Sequence, residues 1–345
     1  MSGRLKLRRG VVVDAEPLTV EIGGERRRAW ADEALLGEMR EGDEVVVNVA
    51  ALDLGLGSGG FDVVHVNLTR GLDASGETRE HVIKLNYTSL QHPVEPVELP
   101  VRLSNRRGTK GAPERTMRVL VLPLHGHLAP AAWAAAQASP GLKLGYVQTA
   151  GGALPGSLSR DVTELRERGL LCGHITAAPA YGGEHEALSV AGALDAAVNG
   201  LGWDAALVGP GPGIIGSDSR LGHGGMAALD NAHAALALDF PTMLSPRLSE
   251  ADPRERHLGV SHHTITVLEL LLGGVTVAVP SANPAIAEKL TEAAGNRHAL
   301  TEAEPDLAGY TASGLPTQTM GRSIGDDALF FAAPLAAGAA LRREE

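Results

Sequence analysis

From residue 118 onward, short apolar runs alternate with longer helical stretches, and this alternation constrains the fold more than any other feature of the sequence. Runs at 119–123, 142–148, 175–178, 204–208, 241–245 and 275–280 have the length of strands. Segments at 130–138, 159–168, 184–199, 224–238, 264–272 and 283–294 read as helices between or after them, with 326–341 as a last one. Strands that alternate with helices of about ten residues or more build βα units, whose crossovers leave the strands parallel. The expected fold class is therefore α/β: a mainly parallel sheet in three layers, with helices on both faces.

The first part of the chain has a different rhythm. Strand-like runs at 9–13, 18–22, 25–30, 45–49, 61–68 and 81–87 are separated by turn signals, among them Gly23-Gly24 and residues 41–44. Two glycines between such runs suit a hairpin turn, because its central residues need positive φ. The pattern predicts a small barrel-like β domain of the SH3-like or OB-like kind. Residues 96–117 read as a linker or insertion, since Pro96 and Pro100 lead into the polar stretch 104–113. The expected organisation is a small β domain at 1–95, a linker at 96–117, and an α/β domain carrying the site at 118–345.

The core is short of large rings: aromatics are 3% of the chain, whereas glycine supplies 43 residues. Ala- and Gly-rich helices that approach a sheet closely are the expected solution. Charge is uneven as well. Residues 1–118 carry 17 Lys+Arg against 18 Asp+Glu, and residues 119–345 carry 13 against 23, so nearly all of the net charge of −11 lies in the second part. That sign argues against nucleic acid as a partner there. A nucleic-acid or ribosome-associated module is the rival reading, resting on the barrel-like start with Arg4, Lys6, Arg8, Arg9 and Arg26-Arg27-Arg28. No lysine occurs between Lys143 and Lys289, so side chains that hold an anion in that stretch must be arginine or histidine. The single cysteine, Cys172, excludes an internal disulfide, fits a reducing compartment, and is expected to be a small buried hydrophobe. No apolar run has membrane-spanning length and the basic start leads into a strand-like run, so a cytoplasmic protein without a membrane partner is expected. Self-association is left open.

Two glycine-rich segments invite a nucleotide reading, and only one is well placed. Gly55, Gly57 and Gly60 have the G-x-G-x-x-G spacing, but a strand follows them. The dinucleotide fingerprint needs a helix there, whose N-terminal amides hold the pyrophosphate. No dinucleotide is expected at this loop, which reads as a hairpin connection or a flap over the second domain. Gly211, Gly213 and Gly216 repeat the spacing after the run 204–208 and ahead of a helix. Their amides could cradle a substrate anion, with a tight structural loop as the bland alternative. No G-K-[ST] follows, so a P-loop is excluded.

Histidines cluster in the loops after the predicted strands. His125 and His127 follow the first of them, and Glu184, His185 and Glu186 follow another; His125, His127 and Glu184 are candidate ligands for a divalent metal. Satisfied loop histidines and helix N-terminal charge are the plain alternatives. The densest stretch is 249–264, with Asp252, Arg254, Arg256, His257, His262 and His263. Asp252 and the three histidines suit acid–base or metal chemistry, Arg254 and Arg256 suit an anion, and Ser261 suits the N-cap of the helix that follows. Strand C-termini in a parallel sheet share one edge, so residues 211–216 and 254–263 are expected to meet in one pocket.

Several of these segments together resemble a bacterial family of proteins of unknown function, DUF3866: residues 48–68, 81–88, 151–155, 209–216, 249–254, 259–263 and Met320-Gly321-Arg322. The resemblance runs nearly the whole length, with 102–114 fitting less well, and it implies a shared fold and site without an activity. The reading of the sequence is a small-molecule enzyme, a hydrolase or group transferase acting on an anionic substrate. Its rivals are the nucleic-acid module above and a ligand sensor that uses the same pocket without turnover.

Overall fold

The computed structural model describes residues 4–56, 59–72, 82–98, 116–281 and 283–341. Contacts divide the chain into two compact units, Met1–Ile83 with Leu90–Pro93, and Lys84–Ser89 with Val94–Glu345.

In the first unit, strands Leu7–Ala15, Leu18–Ile22, Glu25–Trp30, Glu44–Asn48 and Asp62–Asn67 close a barrel in the order first, second, third, fifth, fourth. The first strand pairs antiparallel with both the second and the fourth, and the third runs parallel to the fifth. Of the two expected barrel kinds, this Greek-key closure is the OB-like one. Alternate residues point inward, and Val12, Val20, Val45, Val47 and Val64 fill the interior with Met39 and Val49. Gly10 has a packing reason: a Cβ there would lie 2.5 Å from Val20 Cγ1 and 2.8 Å from the Glu21 carbonyl. Gly23 and Gly24, at φ 61° and 85°, form the hairpin turn. Of the segment 55–60, Gly57 and Ser58 lie outside the described residues, as does His81. The strand expected at 81–87 is only Val82–Lys84, because Leu85 and Tyr87 adopt φ of 49° and 60° and end it.

The second unit carries an eight-stranded sheet in the order His185–Ala187, Gly173–Ala177, Leu144–Thr149, Ala205–Pro210, Arg118–Val121, Thr242–Leu244, Thr276–Pro280, Ala299–Ala303. Every neighbouring pair is parallel. Strand residues alternate between two cores: Val119, Val121, Ala206 and Val208 face one, while Leu120, Leu122, Ala205 and Leu207 face the other. Helices Val190–Asn199, Ala227–Ala237, His262–Leu270 and Pro284–Ala294 cover the first face. Helices Leu128–Ala138, Arg160–Glu167, Leu307–Ala312 and Ala328–Ala339 cover the second. This is the expected three-layer α/β architecture. Small residues make the close approaches that the scarcity of aromatics demands. A Cβ on Gly338 would fall 2.2 Å from the Ala131 carbonyl in the neighbouring helix, and one on Gly145 would fall 2.2 Å from the Trp203 ring.

The helix expected at 184–199 is two elements. His185–Ala187 is an edge strand, and the helix begins at Val190 with Ser189 as its N-cap, accepting from Gly192 N. The extended segment serves Glu186, whose carboxylate accepts from Gly182 N at 2.6 Å and Thr176 Oγ1 at 2.9 Å and pairs with the buried Lys84. The part of 96–117 that is described also joins this edge, with Val97 N donating to the Glu186 carbonyl at 2.7 Å and Leu188 N to the Glu98 carboxylate at 2.6 Å. Residues 99–115 lie outside the described residues. Cys172 is exposed rather than buried, because it stands just before the strand Gly173–Ala177, where its N–H bonds Leu144 O at 2.7 Å. Among the described residues, no helix is long and apolar enough to cross a membrane.

The chain enters the sheet at Arg118–Val121, moves outward on one side, returns to Ala205–Pro210, and then builds the other side from Thr242–Leu244. Connections therefore diverge at two crevices, between Leu144–Thr149 and Ala205–Pro210 and between Arg118–Val121 and Thr242–Leu244. Open α/β sheets bind ligands at such switch points, outside the strand C-termini.

Candidate functional site

The loops after Leu144–Thr149 and Ala205–Pro210, which flank the first crevice, are locked together by backbone packing. A Cβ on Gly152 would lie 2.1 Å from the Gly211 carbonyl, and one on Gly224 would lie 1.9 Å from the Gly151 carbonyl. Ala153 N donates to Pro212 O at 2.8 Å across the same junction. Gly211 thus has a packing reason, as has Gly216, which bridges to His223 with a hypothetical Cβ 3.2 Å from the His223 side chain. Gly213 sits at the turn, at φ 71°, with open space around it.

The loop after Thr242–Leu244 folds back as a short antiparallel pair, Leu248–Ser249 with Gly259–Val260, and ends at Ser261, the N-cap of helix His262–Leu270. Ser261 Oγ accepts from His263 N and bonds His257 Nδ1 at 2.7 Å, so the cap also anchors a second histidine. His263 stacks on His223 from the neighbouring loop, with ring centroids 3.5 Å apart and planes 5° apart. His262 lies 5.4 Å from His223 and 5.0 Å from His257 by the same measure. The segments 211–216 and 254–263 therefore converge through His223, and Arg256 adds an ion pair to Asp218 at 2.7 Å.

Around these rings stands a buried ion network. Asp252 accepts from Arg254 Nε, NH2 and backbone N at 2.9, 2.9 and 3.0 Å, and lies 3.4 Å from Arg247 and 3.5 Å from Arg322. Three guanidinia thus share one carboxylate. Asp327 holds the other side of Arg322 and accepts from Ser249 Oγ and Glu250 N, tying this loop to the last helix. Burial alone would raise the Asp252 pKa, but the Arg254 hydrogen bonds outweigh it and hold the carboxyl well below its usual range. Burial lowers Arg247 to about 10.

The histidines are not poised near neutrality, as isolated loop histidines would be. Burial, with the nearby guanidinia, pushes His257 down to about 3 and His263 to about 2, and lowers His262 and His223 as well. At pH 7 these rings are neutral, suited to hydrogen bonding and metal ligation rather than to donating a proton as imidazolium.

The expected metal candidates do not assemble. His125 turns to the start of helix Arg160–Glu167, with Nε2 2.8 Å from Ser159 Oγ and 3.7 Å from Asp161. His127 turns inward, with Nδ1 2.8 Å from Ser245 Oγ and its ring edge-on to Phe330. Glu184 pairs with Arg166 at 2.7 Å. Among the described residues, the histidine group with metal-ligand spacing is His223, His262 and His263, one ring nitrogen of each lying within 4.8 Å of the others. Sequence reasoning missed His223, Arg247, Asp327 and the role of Arg322. His223 and Arg247 do follow strands at the same sheet edge, and that placement was the available signal. In the barrel, Arg27 pairs with Asp53 and Asp62 and Lys6 with Asp53, so part of the basic character of the start is neutralised.

The sequence pattern of a family described as a protein of unknown function, DUF3866, matches residues 28–338. No curated protein and no solved structure matches the chain.

Proposed function

We propose, for a chain that belongs to the DUF3866 family of proteins of unknown function, that it is an enzyme of polar chemistry, hydrolysis or group transfer, acting on a small anionic molecule at the carboxyl edge of its sheet. The observation that carries this reading is the convergence of His223, His257, His262 and His263 with Arg247, Arg254 and Arg322 at a switch point of the sheet. A scaffold has no need to gather so many buried polar rings and an excess of guanidinia from separate loops, and sites of chemistry commonly do. Arg254, with 45% of its side chain exposed, is the guanidinium within reach of a ligand, and Arg256 flanks it. Arg322, held by Asp252 at 3.5 Å and Asp327 at 2.9 Å, adds to the positive charge beside the site. Asp252 serves by holding Arg247 and Arg254 in place. His257, His262 and His263 supply neutral imidazoles beside the bound anion, and the turn at Gly213 borders the same edge. The lone Cys172, which permits no internal disulfide, supports a cytoplasmic setting.

A thermal-shift screen of small carboxylates, phosphates and sulfates tests the binding half of this reading. At least one class should raise the melting temperature of the wild type, and Arg254→Met should abolish the rise. Absence of any anion effect, or one unchanged in Arg254→Met, overturns the reading. Binding without turnover of the bound class would identify a sensor instead.

A further inference from the structure

We propose that His223, His262 and His263 form a binding site for one divalent transition-metal ion of the zinc class. Hydrogen bonding assigns the lone pairs. His223 Nε2 lies 3.0 Å from the Arg220 carbonyl, which can only accept, so Nε2 carries the proton and Nδ1 carries the lone pair. That Nδ1 is buried with no hydrogen-bond partner. A histidine whose far nitrogen donates to a backbone carbonyl is oriented as metal-binding histidines are. His263 Nδ1 accepts from Arg247 at 3.1 Å, so it too presents a lone pair. His262 contributes a buried Nε2 without a partner.

The Nδ1 atoms of His223 and His263 border one point where a side chain would not fit. A Cβ on Gly225 would lie 2.9 Å from His263 Nδ1 and 3.0 Å from His223 Nδ1. Two lone pairs from stacked rings beside the same point repel one another, and a cation between them relieves this. Without an ion, the buried nitrogens of His223 and His262 keep their hydrogen-bonding capacity unmet. Tetrahedral zinc at bonds of about 2.1 Å places its ligand nitrogens about 3.4 Å apart, so nitrogens now separated by up to 4.8 Å must adjust and one of the stacked pair must turn. On binding, His263 Nδ1 exchanges Arg247 for the ion, and Arg247 keeps Asp252 as its counter-charge. Neutral imidazoles select zinc, cobalt, nickel or copper over magnesium or calcium. The polar cluster at Lys84 is closed by comparison, its ammonium donating to Thr176 O, Ala180 O and Glu186.

The test is titration of chelator-treated full-length protein with Zn²⁺ and Co²⁺, read by calorimetry and by the cobalt absorption spectrum. One ion per chain is expected, with the strong visible bands of low-coordinate cobalt. The double variant His223→Ala with His262→Ala should lose at least about 100-fold in affinity, while His185→Ala should keep it. Gly225→Ala, which fills the space beside both Nδ1 atoms, should also weaken binding. Should the variants unfold, anomalous diffraction at the metal edge from wild-type crystals locates the ion. No stoichiometric binding, binding retained in the folded double variant, or an ion located elsewhere overturns the site. Because the readout is metal binding, its failure leaves the anion reading intact, and anion binding by metal-free protein leaves this site untouched.

Discussion

Acid should unfold this protein early, and two histidines outside the 249–264 cluster make the effect measurable. His127 and His174 are buried, at 0% and 5% exposure, and burial is the main cause that lowers both from 6.5 to about 3. In the unfolded chain they titrate near 6.5, so between that pH and the folded value the unfolded state binds the extra proton. Stability is therefore intact above about pH 6.5 and falls as pH drops, by about 1.4 kcal/mol per unit for each histidine. Between pH 7 and pH 5 each costs about 2 kcal/mol, or about 4 for the pair, against a typical total of about 5–15 kcal/mol. Urea unfolding at the two pH values, followed by tryptophan fluorescence and circular dichroism, measures the difference. His174 stacks flat on Tyr146, and His174→Leu keeps apolar contact there while removing the titration. His127→Asn keeps a polar group toward Ser245. Each variant should shrink the pH difference by about 2 kcal/mol, whatever its stability at pH 7. The site histidines add to the same trend, so the change between variants is the test, not the total. A double variant that retains the full wild-type loss refutes the reasoning.

Other substitutions probe the frame of the site. Asp252→Asn leaves Arg247 buried without its counter-charge and should destabilise by about 3 kcal/mol in denaturant unfolding, and an unchanged midpoint would contradict the network. Gly152→Ala forces its new methyl against the Gly211 carbonyl, costing about 1–3 kcal/mol and separating the two glycine loops, which hydrogen exchange at Ala153 N would reveal. Lys84→Met strands the Glu186 carboxylate and two carbonyls at the sheet edge, and a loss of about 3 kcal/mol is expected in the same unfolding assay.

The architecture was legible because its cause is local. The strands at 118–121, 144–149 and 205–210 announce themselves as apolar runs, and Ser261 is recognisable as a cap from its position alone. What failed depended on partners distant in sequence. Residues 185–187 lie in a strand because Glu186 meets Lys84, 102 residues away, and Ala299–Ala303 is a half-polar edge strand without an apolar run. At the site, the segment 249–264 was identifiable from its density of histidine, arginine and acid. His125 and His127 were misleading for a geometric reason: neighbours in one tight turn, they point to different partners, Ser159 and Ser245. His223 and Arg247 have meaning only once the loops are folded together, with Arg247 NH1 3.1 Å from His263 Nδ1.

Turnover by the intact protein separates an enzyme from a passive binder. Wild-type protein, with and without added zinc, is incubated with a small-molecule extract from cells and compared by untargeted mass spectrometry with Arg254→Met and His262→Ala variants that fold normally. Time-dependent loss of an anionic compound, with a product differing by hydrolysis or group transfer, is expected in the wild type and not in either variant. Depletion that persists unchanged in both variants, or no depletion of any anionic compound by wild-type protein, would contradict the reading.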